Sequence, residues 1–510
     1  MKYYVYAVIL PGLLAVVGLA AIVWLATLGP QVEVLARVPG LDDAPPREPG
    51  KGLTRPVPGE PTAGAGRPSA LRGAWPWFRG ERLDARSPAT GLARQWPADG
   101  PKRLWEIPVA EGYAGAAVRD GRVFLLDYDA QHAADTIRCL SLDDGREIWR
   151  NGYHVEIAPN HGITRTVPAV IGDVVVSFGP KCHVVGWEAA TGKALWLLDL
   201  VLDYGATVPD WYAGQCPLYD AQLDHLVLAP GGRALLIAVD YKTGKVKWES
   251  PNPRKWNMTH TSIAPMELDG RRMYVYSGSG GVAGVAADNG AILWETTAWQ
   301  IPTAACASPL PIGDGRVFLC GGYNAGAMML RIASGGGKFS VETLYKLTPG
   351  QFSSEQQTPI LLDGYLYGVR QKDKQLVCLD LAGKERWNSG REKFGAAPYL
   401  IADGLVIAMN DTGTLSLVEA SPNPPYRRLA KAQLFADGVD AWGPMALVEG
   451  RLLARDMTRL ACFDLRTAAA GTLRNSVRKG DSPIFVRRFA SLTRKSGQSP
   501  SVVQPPTAEN

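Results

Sequence analysis

Polar and aromatic residues that could bind a ligand occur together in five long connections between apolar segments of the sequence. These connections read YHVEIAPNHGITRTV, VPDWYAGQC, RKWNMTHTS, SSEQQ and DGVDAWG. Their carboxylates could act as bases or hold a cation, and their aromatic rings could stack on a flat ligand. We therefore predict a shared binding site whose candidate residues are Glu156, His161, Arg165, Asp210, Trp211, Asn257, His260, Glu355, Asp440 and Trp442.

The spacing of these residues does not define a catalytic or metal-binding motif. His154 and His161 are near enough in sequence to bind one metal ion, but the pattern fixes no third ligand. Polar loops that simply face water explain the same residues. We therefore predict no catalytic residue and no metal ligand, and we expect the elements between the loops to decide which of these side chains meet.

Those elements form a repeat. An apolar strand, a tight turn and a second apolar strand occur eight times between Ala116 and Arg455, as in AAVRDGRVFLL, PMELDGRRMYVY and PILLDGYLYGV. Asp-Gly between apolar strands is typical of a β-hairpin, because Gly accepts a positive φ without steric cost. At about 40 to 50 residues per repeat, the pattern predicts an all-β, eight-bladed β-propeller of four-stranded antiparallel blades.

A tryptophan recurs in most repeats, four residues after a turn glycine, as in EAATGKALW and DYKTGKVKW. Such a side chain on an outer strand could pack against the next blade and bury ~150–250 Å². The fifth repeat has Tyr345 here, and the eighth ends without this strand, whereas KRLWEIPV precedes the first repeat. We predict that this N-terminal strand completes the last blade beside Cys462, which removes a free sheet edge. The predicted docking residues are Trp105, Trp149, Trp196, Trp248, Trp294 and Trp387.

This motif resembles the tryptophan-docking motif of the quinoprotein alcohol dehydrogenases and their non-enzymatic relatives. The relatives include the propeller lipoprotein of the bacterial outer-membrane β-barrel assembly machinery. The resemblance extends from about Trp75 to Arg466, and its start, WPWFRGERLDARSPATGLARQWP, is similar to the leader of bacterial PQQ-like-repeat proteins. It implies a propeller but does not fix the function, because many functions share this scaffold.

Two departures from the family limit what the resemblance implies. Quinoprotein dehydrogenases of the methanol and ethanol type often have adjacent cysteines that form a strained disulfide over the quinone, and this sequence has no Cys-Cys pair. The assembly lipoprotein carries its lipid on a cysteine just after the signal, whereas the first cysteine here is Cys139. We therefore predict a non-catalytic binding or scaffold protein, acting in envelope assembly with an unidentified envelope protein partner and without a cofactor.

Two alternatives stay open. One is a dehydrogenase for an alcohol or a sugar that depends on pyrroloquinoline quinone (PQQ) and calcium. Such a cofactor needs an aromatic floor, a cation held by carboxylate and amide oxygens, and an acidic residue as base. The other alternative is a propeller that binds a carbohydrate or polymer through the aromatic residues of the channel mouth. The residues of the right type for the quinone are Asp210, Trp211, Asn257, Glu355, Asp440 and Trp442.

The seven cysteines form no CxxC motif. Cys139, Cys378 and Cys462 occupy equivalent places in the third strands, IRCLS, LVCLD and LACFD, which predicts small core residues. The other four cysteines could include one disulfide, but their spacing does not specify it.

The N-terminal region predicts a membrane anchor and a linker. Val5–Leu28 carries no formal charge, and as a helix it would span ~36 Å, enough for the apolar core of a bilayer. We predict a transmembrane anchor over residues 1–30; a cleaved signal peptide is the competing interpretation. A Pro/Gly-rich linker over 31–70 would then carry the propeller, residues 71–466, on the periplasmic side of a bacterial cytoplasmic membrane.

The net charge of +5 is matched by the C-terminal tail, residues 467–510, where seven Lys or Arg residues face two acidic residues. The rest of the chain is neutral as a whole and gives no reason to expect nucleic-acid binding. We predict a disordered basic tail and a monomeric propeller.

Overall fold

A computed structural model of the chain describes Tyr6 and residues 9–27, 54–158 and 160–467. Eight antiparallel sheets follow one another along the chain, and each has four strands that belong to one blade. Apolar core clusters are shared between neighbouring sheets, for example between the third and fourth and between the sixth and seventh. The predicted eight-bladed, all-β propeller is therefore confirmed.

The first four blades contain, in order from the channel outward, β4–β7, β8–β11, β12–β15 and β16–β19. Their bounds are β4 Ala117–Arg119, β5 Arg122–Asp129, β6 Ala134–Ser141, β7 Glu147–His154, β8 Ala169–Ile171, β9 Val174–Phe178, β10 His183–Glu188, β11 Ala194–Asp199, β12 Leu218–Asp220, β13 His225–Leu228, β14 Ala234–Val239, β15 Val246–Pro251, β16 Ala264–Leu268, β17 Arg271–Gly278, β18 Gly281–Ala286 and β19 Ile292–Thr296.

Blades five to seven contain β20–β23, β24–β27 and β28–β31, and blade eight contains β32–β34 with β3 as its outer strand. Their bounds are β20 Leu310–Gly313, β21 Arg316–Gly321, β22 Gly326–Gly335, β23 Lys338–Leu347, β24 Ile360–Leu362, β25 Tyr365–Arg370, β26 Gln375–Asp380, β27 Glu385–Asn388, β28 Tyr399–Ala402, β29 Leu405–Met409, β30 Thr414–Glu419, β31 Arg428–Gln433, β32 Ala446–Val448, β33 Arg451–Arg455, β34 Arg459–Asp464 and β3 Lys102–Pro108.

Four further elements lie outside this pattern. They are the short strands β1 (Thr62–Ala63) and β2 (Arg86–Ser87) and the helices α1 (Leu10–Thr27) and α2 (Leu200–Tyr204). The sequence predicts a membrane-spanning anchor where α1 lies. Among the described residues, however, no helix combines the length and the apolar character needed to cross a bilayer. The predicted transmembrane helix is therefore not supported.

The hairpins form where the sequence predicts them because of their turn residues. Asp120 and Gly121 join β4 to β5 with φ of 49° and 69°, so both central residues of the turn are left-handed. Asp403 and Gly404 repeat this geometry between β28 and β29, with φ of 51° and 72°. Two successive positive φ values match the right-handed twist of the flanking strands, and Asp followed by Gly adopts them readily.

The ring is closed by strands from both ends of the propeller. β3 pairs with β34 in antiparallel register, and Trp105 lies opposite Cys462. The Trp105 indole nitrogen donates a hydrogen bond to the carbonyl oxygen of Leu142 in the first blade, at 3.0 Å. The closing strand thus completes the eighth sheet, as predicted, and also joins it to the first.

Most outer strands contact the next blade in the same way. The Trp149 indole donates to the carbonyl of Ala189 at 3.1 Å, and its ring covers Gly192 in the turn that follows. Equivalent hydrogen bonds join Trp196 to Tyr241 at 2.8 Å, Trp248 to Ala287 at 3.1 Å, Tyr345 to Leu381 at 2.9 Å and Trp387 to Ser421 at 2.7 Å.

Trp294 differs from the other docking residues. Its indole nitrogen lies 3.3 Å from Met273 Sδ, within its own blade. In the fifth blade, β22 and β23 continue as a regular ladder up to Gly335 and Lys338. Because the ladder uses the carbonyls that a short turn would leave free, the usual acceptor is missing at this junction.

A small residue faces each docking tryptophan across the two outer strands. Cys139 lies opposite Trp149, and Cys378 lies opposite Trp387. In the second blade this place is taken by Gly186, where an added Cβ would overlap the Trp196 ring. The repeated cysteines therefore serve as small core residues. All seven cysteines are free.

The described part of the predicted linker, from residue 54 onward, packs on the first blade. β1 pairs with β7 in antiparallel register, and an Arg55–Asp203 ion pair adds a contact with α2. Gly64 and Gly66 make this approach possible, because a Cβ at either position would overlap the backbone around Glu147. Residues 31–53 and the predicted basic tail from 468 onward lie outside the described residues.

Residues 69–92, which we call the N-terminal plug, enter the central channel from the side of the Asp-Gly turns. Trp75 exchanges backbone hydrogen bonds with Val118 of β4, and the carbonyl of Pro76 accepts one from Val170 of β8, all at 2.8 Å. The Trp77 ring packs on Tyr219 of β12. The plug thereby contacts the innermost strands of the first three blades.

The returning half of the plug contacts the opposite side of the ring. Arg79 donates to the carbonyls of Thr358 and Pro359, just before β24, at 2.8 and 3.0 Å. β2 then pairs in parallel with β28, and Ser87 Oγ donates to the carbonyl of Leu447 in β32 at 2.9 Å. Because it joins blades on both sides of the axis, the plug closes this end of the channel.

Candidate functional site

A cavity of about 430 Å³ occupies the other end of the channel. Its walls are the connections that lead from the outer strand of one blade to the innermost strand of the next, together with Tyr323 from the turn between β21 and β22. Its lining includes Phe78 at the tip of the N-terminal plug. Phe78 therefore bounds the cavity on the side of the plug, and we call this cavity the blind mouth pocket.

Six of the ten predicted site residues line this cavity: His161, Arg165, Trp211, His260, Glu355 and Trp442. Three others, Glu156, Asp210 and Asn257, are exposed and do not line it. Asp440 also lies outside the lining, but its carboxylate accepts a 3.4 Å hydrogen bond from the hydroxyl of Tyr113, which does line it. The structure thus gathers residues from loops far apart in sequence and leaves others at the surface.

Three aromatic rings form one wall of the cavity. Tyr113 and Trp442 are stacked, with ring centres 5.3 Å apart and planes 24° apart. His161 packs against both, at 5.8 Å from Tyr113 and 5.5 Å from Trp442. The Trp442 indole donates to Asp411 Oδ1 at 2.7 Å, which fixes the ring. This wall is preorganised before any ligand enters.

Arg165 places a positive charge next to this wall. Its guanidinium donates to the carbonyls of His161 and Gly162 at 2.7 and 3.0 Å and lies 5.2 Å from the centre of the Tyr113 ring. Burial lowers its pKa to about 10, so it stays protonated at neutral pH. The nearby groups that oppose this shift are the phenols of Tyr113, Tyr212 and Tyr323 and the thiol of Cys306, and none of them is a carboxylate.

Three other polar groups of the cavity are neutral or already paired. Burial, and next to it the charge of Arg165, lower the pKa of His260 to about 4, so this imidazole is uncharged at neutral pH. Burial raises the pKa of the Cys306 thiol to about 12, which makes it a poor nucleophile. The Glu355 carboxylate forms an ion pair with Lys374 at 2.7 Å. Arg165 therefore dominates the electrostatics of the pocket.

The residues present do not fit PQQ bound with calcium. Calcium requires six to eight oxygen ligands, supplied largely by carboxylates and carbonyl groups. In residues 54–158 and 160–467, no three His, Cys, Asp or Glu side chains come together as a metal site. Asp210 and Asn257 are exposed outside the cavity, and Glu355 is held by Lys374. The expected cation ligands are thus dispersed.

Tyr113 and Phe78 are among the lining residues that are absent from the candidates taken from the sequence. Tyr113 lies in EGYAGAA, between the closing strand and the first blade, and Phe78 lies in the plug. The signal for Tyr113 was its position, because its connection is equivalent to the other channel-mouth loops once β3 is assigned to the eighth blade. Phe78 gives no such signal, since the plug has no repeat pattern.

The ring of eight four-stranded sheets places the chain in the class of eight-bladed β-propellers, and comparison with family models narrows this class to one family. A family model described as outer membrane protein assembly factor BamB matches residues 85–196 and 133–389, and the chain belongs to this family. No curated protein matches the chain in sequence.

Solved structures with a similar fold include a BamB protein and two dehydrogenases. BamB from Moraxella catarrhalis is 14% identical, with 71% of this chain and 99% of that chain covered and a TM-score of 0.47. The quinohemoprotein alcohol dehydrogenase from Comamonas testosteroni is 14% identical, with 80% of this chain and 82% of that chain covered and a TM-score of 0.42. A europium-containing methanol dehydrogenase is 12% identical, with 77% of this chain and 98% of that chain covered and a TM-score of 0.43. At these identities the likeness concerns the fold alone.

Proposed function

We propose that this protein is a non-catalytic binding propeller that holds a protein partner in the bacterial envelope, outside the cytoplasm. Membership of the BamB family, whose model covers most of the ring, is the observation that carries the proposal. An envelope partner and an extracytoplasmic location follow from that membership as parts of the same proposal.

Two polar groups of the mouth are poorly suited to act as a general base. A general base needs a side chain that can take up a proton near neutral pH within reach of a substrate. The Glu355 carboxylate is engaged by Lys374, and the pKa of His260 is far below neutrality. The partly exposed Trp211 and the exposed Tyr323 at the opening instead provide the type of aromatic contact that dominates protein interfaces.

The test is recovery of the partner from envelope extract by the tagged, full-length protein. We expect one envelope protein to be recovered in constant ratio by the wild type. A Trp211→Ala/Tyr323→Ala double variant should recover at least tenfold less. The matched control is Val246→Ala, which truncates an exposed side chain on the outer strand β15. Equal recovery by the double variant would exclude the mouth as the interface, and recovery of no stoichiometric partner by the wild type would refute the proposal.

Carbohydrate or polymer binding is the second candidate, and Trp211 is the observation that favours it. This indole lies in the cavity lining and is partly exposed, as a sugar-stacking ring must be. Trp442 suits this role less well, since Tyr113 stacks on it and Asp411 holds its indole nitrogen. A glycan array should then show binding that is lost in Trp211→Ala and kept in Trp442→Phe. The PQQ-dependent dehydrogenase is not proposed, because the expected calcium ligands are dispersed.

A further inference from the structure

We infer that the blind mouth pocket binds a small, flat monocarboxylate, whose carboxylate pairs with Arg165 and whose body packs against the Tyr113–Trp442 wall. This inference is independent of the protein partner, and the proposed function does not require it. It rests on the charge of Arg165, on the shape and polarity of the cavity around it, and on the closed floor.

Arg165 has more hydrogen-bond donors than the carbonyls of its own loop occupy. A guanidinium has five N–H donors, and two of the hydrogen bonds made here go to the carbonyls of His161 and Gly162 in its own loop. These bonds orient the group but do not neutralise it. Its half-buried side chain faces the cavity. Partial burial raises the cost of a charge that no carboxylate matches, so a ligand anion in the cavity would be favoured.

A simpler interpretation is that Arg165 only braces the loop between β7 and β8. A loop-bracing arginine needs the two carbonyl contacts but gains nothing from a cavity beside its charge. Burial, and after it the charge of Arg165, lower the pKa of His260 to about 4, so this neighbouring imidazole adds no second positive charge at neutral pH. Arg165 is the only Lys or Arg residue in the lining, so the pocket presents one permanent cation, which matches one carboxylate rather than several.

The body of the ligand is inferred from the cavity walls. The Tyr113–Trp442 stack on one side, Phe78 at the floor and Tyr323 at the opening enclose about 430 Å³, within the range of small-molecule sites. Flat aromatic walls favour a flat aromatic or unsaturated body. Phe78 belongs to the plug and bounds the pocket on that side, and a body of two fused rings is small enough for a volume of about 430 Å³.

The test uses the full-length protein and 2-naphthoate, measured by isothermal titration calorimetry at pH 7.5. Two further probes separate charge from shape: 2-naphthamide keeps the rings without the charge, and acetate keeps the charge without the rings. We expect 2-naphthoate to bind, 2-naphthamide to bind at least tenfold more weakly, and acetate at least a hundredfold more weakly. Equal affinity for naphthoate and naphthamide, equal affinity for naphthoate and acetate, or no binding of naphthoate at millimolar concentration would overturn the inference.

The matched variants are Arg165→Gln, which keeps donors for the loop carbonyls without the charge, and Arg103→Gln, which removes an exposed arginine from β3. We expect at least tenfold weaker naphthoate binding for the first and wild-type binding for the second. Unchanged binding in Arg165→Gln would overturn the assignment. If that variant does not fold, Arg165→Lys keeps the charge and must retain the preference for naphthoate over naphthamide. Failure here leaves the recovery of an envelope partner unaffected, so the two proposals are tested separately.

Discussion

Trp105 and Cys462 face each other in the last sheet, although seven complete blades separate them along the chain. The small cysteine leaves room for the indole, and the indole nitrogen reaches across the seam to the carbonyl of Leu142. The pair therefore joins the two ends of the propeller and locks the eighth blade onto the first. The same arrangement recurs around the ring, so variants at different seams can be compared in their free energies of unfolding.

The hydrogen bonds of the docking tryptophans should be measurable by comparing two buried residues, Trp149 and Trp294. Trp149→Phe leaves the carbonyl of Ala189 without its donor, which should lower the free energy of unfolding by ~1–3 kcal/mol. Trp294→Phe loses only a contact with Met273 Sδ, a weak acceptor, and should cost at least ~1 kcal/mol less. Urea denaturation gives both values. Equal losses would show that the hydrogen bond across the seam does not stabilise the ring.

The close approach of tryptophan and turn glycine predicts a steric effect that a matched glycine can isolate. Gly192 and Gly364 have φ of 80° and 81°, so alanine is equally strained at both. An added Cβ at Gly192 would overlap the Trp149 ring, whereas at Gly364 nothing lies within 4 Å. We expect Gly364→Ala to cost ~1–2 kcal/mol and Gly192→Ala at least ~2 kcal/mol more in urea denaturation. Similar losses would contradict docking on Gly192.

A buried acid between the first two blades predicts a specific dependence of stability on pH. Burial raises the pKa of Asp135 to about 7, and the carboxyl group accepts a hydrogen bond from Tyr153. In the unfolded chain the pKa returns to about 3.8, so between these values unfolding releases a proton. Raising the pH across this window therefore destabilises the folded protein and has no further effect above the folded pKa.

Replacing Asp135 by asparagine should remove that dependence. Relative to Asp135→Asn, we expect the wild type to lose roughly 2.5 kcal/mol in free energy of unfolding between pH 5 and pH 7.5, from ~1.4 kcal/mol per pH unit up to the folded pKa. Asp144→Asn changes an exposed turn acid and should follow the wild type. Urea denaturation at both pH values measures the difference. Parallel curves for the wild type and Asp135→Asn would mean that the carboxyl titrates normally.

The N-terminal plug should contribute to stability through Arg79. Arg79→Met removes the donors to the carbonyls of Thr358 and Pro359 and leaves them buried, which should cost ~2–4 kcal/mol. Arg82→Met changes an exposed arginine of the same segment and should cost less than ~0.5 kcal/mol. Thermal unfolding of both variants measures the contrast. If both variants melt like the wild type, the plug is not an integral part of the channel.

The parts of the fold that local chemistry determines could be predicted from the sequence. The Asp-Gly turns fix the hairpins because they need two positive φ values. The absence of an outer strand from the eighth repeat indicates that the strand before the first repeat closes the ring. The site was predicted in part, since the repeat assigns loops to the mouth but not side chains to the cavity. Arg165 and Asp210 come from similar loops, yet only Arg165 lines the pocket.

The N-terminal segments show why the rest could not be predicted. The Pro/Gly-rich residues after 54 indicate an extended chain, and they are extended, but Gly64 and Gly66 also allow them to pair with β7. The plug is held by contacts with six different blades, none of them near it in sequence. Such long-range packing leaves no periodic pattern, so Phe78 could not be assigned to the pocket.

Phe78 also decides how anything in the pocket is exchanged. Because the plug bounds the pocket on one side through Phe78, we expect a bound ligand to leave the pocket past Trp211 and Tyr323. Its residence time is then governed by the mobility of those two rings, and its equilibrium affinity by the interior. For a small ligand held in the interior by Arg165, substitutions of Trp211 and Tyr323 should therefore change the rates of association and dissociation more than the ratio of the two rates.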